Sequence, residues 1–209
     1  HAPEANLNFN SYYHRSQHQK GSFPTGKVNN SWINRKVYGQ VTNKLVLTDL
    51  NEGIDGISFK VSDQQQFDEL TAGVQFEYIS TDVSFEDALV AKSFIGNANI
   101  DLNFDVLAQG MVKGGWINDL NNFVDFFKTQ DKNKSLWIRG NVYADAGASI
   151  VQELAFSANH LNEYMHALTS AGIGLEEIND KLIIELSVTD DYFANIAKFK
   201  LIRYLVGLV

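Results

Sequence analysis

The chain contains no cysteine among its 209 residues. That excludes disulfides, thiolate metal sites and a catalytic thiol, and makes the cytoplasm the expected compartment. No apolar run reaches membrane-spanning length, and the polar N-terminus lacks the apolar core of a signal peptide, so no membrane partner is expected. Basic residues are few and scattered: 17 Lys and Arg stand against 25 Asp and Glu, for a net charge of -8. Nucleic acid needs a concentrated basic face, so a polyanion partner is excluded on electrostatic grounds. No HExxH, GxSxG, GxGxxG or CxxC pattern occurs, which removes the common signatures of zinc proteases, serine hydrolases, dinucleotide binders and redox pairs.

What is present suits a folded domain. The hydrophobic fraction is 44% and the charged fraction 20%, as in an ordinary globular protein with one substantial core. Residues 1–31 are rich in Asn, His, Gln and Ser and read as a polar arm. From Trp32 to Val209, β-branched and aromatic runs alternate with amphipathic segments, the pattern of parallel βα units. Strands are expected at 36–41, 57–61, 74–80, 100–106, 135–143 and 182–188. Helices are expected at 43–51, 64–71, 84–94, 116–129 and 148–170, with a last one from Asp190 onward. The fold class is therefore α/β: a parallel (β/α) barrel, incomplete at about six units.

The strands alternate in polarity, whereas strands of a parallel sheet covered on both faces are apolar throughout. Ile100, Leu102, Phe104 and Val106 form one face against Asp101, Asn103 and Asp105. The same alternation places Lys60, Glu77, Arg139 and Glu185 on the polar side. That side is expected to line a wet lumen or an open surface, unlike the bulky apolar filling of an ordinary barrel. Its members, with Asn141, are candidate ligand contacts. Paired carboxylates there could serve acid–base chemistry, but compensation by Lys60 and Arg139 is the simpler expectation.

Three other patterns dissolve on inspection. Gly21-Ser22-Phe23-Pro24-Thr25-Gly26-Lys27 matches the first seven positions of a phosphate-binding loop. Val28 then stands where Ser or Thr must hold magnesium, and no strand precedes it. Asp101-x-Asn103-x-Asp105 begins like a calcium loop, yet Val106 replaces the required glycine and Val112 the closing glutamate. His14 and His18 lack a third ligand nearby, and His160 and His166, six apart on a helix, do not share a face, so no metal site is expected.

The second half carries a resemblance to a known family. Ala146-Gly147-Ala148 followed by Gln152-Glu153-Leu154-Ala155-Phe156 resembles the AGA-x-x-x-QELAF segment of methylmalonyl-CoA mutases. Glu163-Tyr164 and the run Ser187-Val188-Thr189-Asp190-Asp191-Tyr192-Phe193 through Lys198 resemble that family's sixth strand and following helix. Gly21 through Gly26 and Trp32-Ile33-Asn34-Arg35-Lys36 are similar to a shortened form of its first-strand approach. The family joins an acyl-CoA-binding barrel to a separate cobalamin domain and interconverts methylmalonyl-CoA and succinyl-CoA.

The resemblance implies a chain without the catalytic groups. Where catalytic chains carry a Tyr-His pair, this chain has Asn141 and Val142, with Tyr143 displaced. No tyrosine lies in 27–31, no DxHxxG cobalamin motif occurs, and two further barrel strands are missing. The expectation is the family's small, non-catalytic chain, cut short and inactive alone. It would bind no cofactor itself, adenosylcobalamin belonging to a large catalytic partner chain. Heterodimerisation with that chain, or self-association, is expected through Ile202, Leu205, Val206, Leu208 and Val209. An acyl-CoA or small-anion binding module, and an independent barrel enzyme, are the alternatives.

Overall fold

The computed structural model describes residue 14 and residues 32–85, 90, 99–114, 120–129 and 135–209. The arm 1–31, His14 apart, and most of the helix expected at 84–94 lie outside the described residues. Strand β1 (Arg35–Tyr38) leads to helix α1 (Asn43–Asn51), β2 (Gly56–Val61), α2 (Gln64–Leu70) and β3 (Ser80–Phe85). Strand β4 (Ile100–Asn103), α3 (Val106–Lys113), α4 (Leu120–Thr129) and β5 (Leu136–Arg139) follow. The chain continues through α5 (Asn141–Asp145), α6 (Ile150–Ser170), α7 (Leu175–Lys181), β6 (Leu182–Glu185) and α8 (Tyr192–Val206).

The fold is α/β with parallel sheets. Strands β1 to β4 pair in sequential order, and β5 pairs with β6, all in parallel. One backbone hydrogen bond, from Ser135 N–H to the Leu102 carbonyl (3.3 Å), links β4 to the start of β5. Among the described residues no helix is long and apolar enough to cross a membrane.

The registers sort the side chains into two faces, because successive residues of a strand point to opposite sides. Ile57, Phe59, Val61, Val83, Phe85, Ile100 and Leu102 are buried on one face. Tyr38, Phe59, Phe67 and Phe76 form a chain of ring contacts at that layer, with centroids 5.4–6.0 Å apart. On the other face the register aligns Ser58, Asp82 and Asp101 in one row and Lys60, Ser84 and Asn103 in the next.

Several boundaries differ from those expected. The third strand is not 74–80 but Ser80–Phe85. Both segments alternate, but Gly73 (φ 84°) ends the turn after α2, and the following residues return the chain to the start of the sheet. Val74 and Phe76 are apolar because they anchor that loop to the core. Glu77 therefore sits on an exposed loop and leaves the polar strand face. Asp105 does not extend β4; it caps α3, accepting from Ala108 N–H at 2.9 Å. Asn141 and Val142 lie in α5, not in a strand.

The helices follow local rules more closely. Ser149 and Gln152 form a reciprocal capping box at the start of α6. Gly172, at φ 85°, ends it in the left-handed conformation that favours glycine. Helix α8 is capped by Asp191, which accepts from Ala194 N–H at 2.9 Å. Ile202 is buried, and Leu205 and Val206 are half-buried. The apolar patch expected from them with Leu208 and Val209 is thus split, its first member facing α6.

Candidate functional site

The polar face is not a uniformly wet surface. At its near end Arg35 reaches across β2 to β3, donating to Ser80 Oγ (2.5 Å) and Ser58 Oγ (3.4 Å) and contacting Asp82. Ser58 in turn donates to Asp82 at 2.6 Å, and Ser58 and Asp82 are both buried. Burial pushes the neighbouring Asp101 carboxyl above its ordinary range, opposed by the positive charges of Arg35 and Lys181 and by a bond to Ser135. This end is neither the wet lumen nor the open surface expected, because Ser58 and Asp82 are buried and the ions neutralise one another within the sheet.

At the other end, the C-terminal ends of β2 to β5, Lys60, Asn103, Asp105 and Arg139 do come together. With Ser84, Gln109 and Lys113 they line a cleft of about 40 Å³, room for a few water molecules. Glu185 adjoins through β6, its carboxylate 3.7 Å from Arg139 Nε. Burial raises the Glu185 pKa, Arg139 opposes the rise, and Asp105 and Asp145 add to it. Asp101 lies a row away from the cleft and Glu77 is apart from it. The Asn141 amide oxygen is buried with no hydrogen-bond partner among the described residues.

The centre of the arrangement is Asp105. Its Oδ1 accepts from Ala108 N–H, from Tyr164 Oη (2.7 Å) and from His160 Nε2 (3.0 Å), while Oδ2 accepts from Arg139 N–H (3.0 Å). The other ring nitrogen of His160, Nδ1, lies 3.2 Å from Tyr143 Oη. Burial acts to raise the Asp105 pKa, but the His160 hydrogen bond and charge, with the bonds from Ala108 and Tyr164, outweigh it and hold the carboxyl below its usual range. Burial, then the Asp105 charge, push the Tyr143 hydroxyl up to about 12, so it is a hydrogen-bond donor at neutral pH and not a base.

His160 and Tyr164 belong to a polar stripe on α6. Glu153, Ser157, His160 and Tyr164 recur at helical spacing and are all buried. At the stripe's N-terminal end, Glu153 accepts from Lys198 Nζ (2.5 Å) and from Ser187 N–H (2.7 Å) and Oγ (3.0 Å). Lys198, which comes from α8, is 1% exposed. The sequence reading did not single out this stripe. Its four polar residues at steps of three and four were the available sign of a second buried seam.

Gly140 marks the tightness of this region. Its φ of -64° suits any residue, but an added Cβ would drive into Ser157 Oγ and lie 2.9 Å from the Glu185 carbonyl oxygen. Gly140→Ala is expected to destabilise the fold by ~1–3 kcal/mol through overpacking. Denaturant midpoints test this; an unchanged midpoint would show that α6 and β6 are free to separate.

The methylmalonyl-CoA mutase family model matches residues 102–207, about half of the chain and the whole span holding Asp105, His160, Glu153 and Lys198. The chain belongs to the methylmalonyl-CoA mutase family. Among curated relatives, the methylmalonyl-CoA mutase small subunit of Porphyromonas gingivalis is 26% identical over 205 residues, covering 86% of this chain and 33% of that protein. The small subunit of Propionibacterium freudenreichii subsp. shermanii is 24% identical, covering 78% and 28%. That of Streptomyces virginiae is 25% identical, covering 89% and 34%. The chain therefore spans about a third of the length of these relatives. In this mutase family member, the residues that hold the α6 seam fall inside the matched region, while the Arg35 cluster precedes it.

Proposed function

We propose that this chain is the small, non-catalytic member of a two-chain methylmalonyl-CoA mutase, the six parallel strands among its described residues forming part of an incomplete (β/α) barrel. The observation that carries this reading is the end of β5. Where the family's catalytic Tyr-His pair is expected stand Asn141 and Val142; Val142 is buried and an amide does not titrate near neutral pH, so neither can pass a proton. The nearby titratable groups are already engaged. Asp105 holds four donors, and Lys198 is paired with Glu153. A carboxylate so saturated serves as a structural acceptor. Adenosylcobalamin, on this reading, is held by a larger partner chain.

The test is direct. The isolated chain is expected to convert no methylmalonyl-CoA to succinyl-CoA with adenosylcobalamin present, followed by mass spectrometry, and to leave the cobalamin spectrum unchanged. Turnover, or a red complex surviving gel filtration, would overturn the proposal. A second reading, a small-anion site, is favoured by Lys60, Lys113 and Arg139 converging on one cleft. Its size does not suit an acyl-CoA, whose pocket would be several hundred Å³. Calorimetric titration with phosphate and with coenzyme A separates the two readings, since only the second expects a saturable heat with phosphate.

A further inference from the structure

The cleft at the C-terminal ends of β2 to β5 carries donors without acceptors. Asn103 lines it and is 4% exposed, yet its amide makes no hydrogen bond among the described residues. A buried amide left unpaired is costly, so one on a polar wall marks a place where something else accepts from it. Arg139 lines the same cleft. Its guanidinium makes no hydrogen bond among the described residues either, because Glu185 stands 3.7 Å from Nε, an ion pair beyond hydrogen-bond reach. Lys60 and Lys113 add positive charge to the walls. Asp105, the carboxylate in the wall, already accepts from four donors. The volume of about 40 Å³ takes roughly three water-sized oxygens, the number a tetrahedral oxyanion presents when its last oxygen is directed outward.

We infer that this cleft is an oxyanion site under proton control: Asn103 and Arg139 donate to a compact oxyanion of sulfate or phosphate size, and Glu185 competes with that anion for Arg139 until it is protonated. This rests on the small-anion reading above and adds the regulation of that site. A chain that turns nothing over can carry it.

The control comes from the surroundings of Glu185. Its carboxylate is half-buried and makes no hydrogen bond among the described residues. Burial raises its pKa, Arg139 on the neighbouring strand opposes the rise, and Asp105 at the start of α3 and Asp145 on α5 add to it. A bound anion brings one more negative charge to this group, so binding and protonation of Glu185 favour each other. Affinity therefore rises as pH falls. His160, bonded to Asp105 from α6, is the ionisable group behind the cleft wall.

The test is calorimetric titration of the full chain with sodium sulfate, an anion that keeps its charge while carboxylates titrate. The wild-type Kd is expected to fall about tenfold from about pH 8 to about pH 5, within the tenfold per unit that one linked proton permits. Heats that vary with the ionisation enthalpy of the buffer should report the proton taken up. Glu185→Gln should bind at the upper pH as tightly as the wild type does at the lower, with no pH dependence left. Arg139→Gln and Asn103→Leu should each weaken sulfate about tenfold at the lower pH, the loss of a hydrogen bond to a charged group. Circular dichroism and melting check that each variant is folded, and the half-exposed Glu185→Gln tests the gate even where another variant fails to fold. No saturable heat from the wild type at any pH would overturn this inference and the small-anion reading together. Saturable binding unchanged by pH, or a pH dependence that persists in Glu185→Gln and so comes from another group such as His160, would overturn the gate and leave that reading standing. Undiminished affinity in folded Arg139→Gln would overturn the placement of the anion. Methyl phosphate displacing sulfate would show that the site takes the end group of a larger ester, and no displacement that it takes the free ion; either result supports an oxyanion site.

Discussion

Asp105→Ala is expected to lower the unfolding free energy by ~3–5 kcal/mol, because it strands buried hydrogen-bond donors rather than merely removing one contact. Tyr164 Oη, His160 Nε2 and the Ala108 and Arg139 amides all converge on that carboxylate. Asp105→Asn preserves shape but turns one donor group toward another, since its amide nitrogen would face either the Arg139 N–H or the three donors at Oδ1. It should cost less than the alanine, ~2 kcal/mol.

The same residue predicts a pH dependence. The folded pKa of Asp105 lies below its ordinary value. Its contribution is therefore complete above the unfolded value of about 4 and fades as pH falls through the lower folded one. Asp101 and Glu185 act with opposite sign. Their folded pKa values are raised, so the stability they contribute is present in acid and is lost as pH rises through those values. The difference between wild type and Asp105→Asn, taken pH by pH from urea midpoints, isolates Asp105. It should be largest at neutral pH and shrink below about pH 4. A difference that is constant across that range would remove the carboxylate charge from the account.

Lys198→Ala is the second large effect. It leaves Glu153, 1% exposed, without its cation and with only the two Ser187 donors. Breaking a buried pair from one side costs ~3–5 kcal/mol. Glu153→Gln/Lys198→Met removes both charges, keeps an acceptor for Ser187 N–H and fills the ammonium's space with a thioether. That double variant should recover most of the loss, to within about 1–2 kcal/mol of wild type, since a well-packed apolar replacement of a buried pair is often nearly neutral. Thermal and denaturant unfolding of the single and double variants decide it. If the double variant were as unstable as the single, packing at α8 rather than the uncompensated charge would carry the effect.

The alternation of β2, β4 and β5 predicted their existence and their two faces, and Lys60, Asn103 and Arg139, each on the polar side of its strand by period-two geometry, line one cleft. The same rule misplaced Glu77, because a loop that anchors Val74 and Phe76 to a core imitates a strand. It carried Asp105 one step too far, because a residue at the end of a strand can turn inward as a helix cap with no change in the pattern. Asn141 was assigned to a strand for the same reason: the β5 run LWIR passes into α5 through Gly140, and nothing local marks the change.

What the sequence by itself determined is the family, the parallel α/β character and the replacement of the expected Tyr-His pair by Asn141 and Val142. These are properties of residue order, and short-range periodicity and motif likeness report them directly. The tertiary structure decided which polar residues are spent on the fold. Asp105 meets His160 across 55 positions and Glu153 meets Lys198 across 45. No local pattern encodes such a meeting, because it depends on how α6 and α8 lie over the strand ends, where low polarity makes every buried charge find a partner.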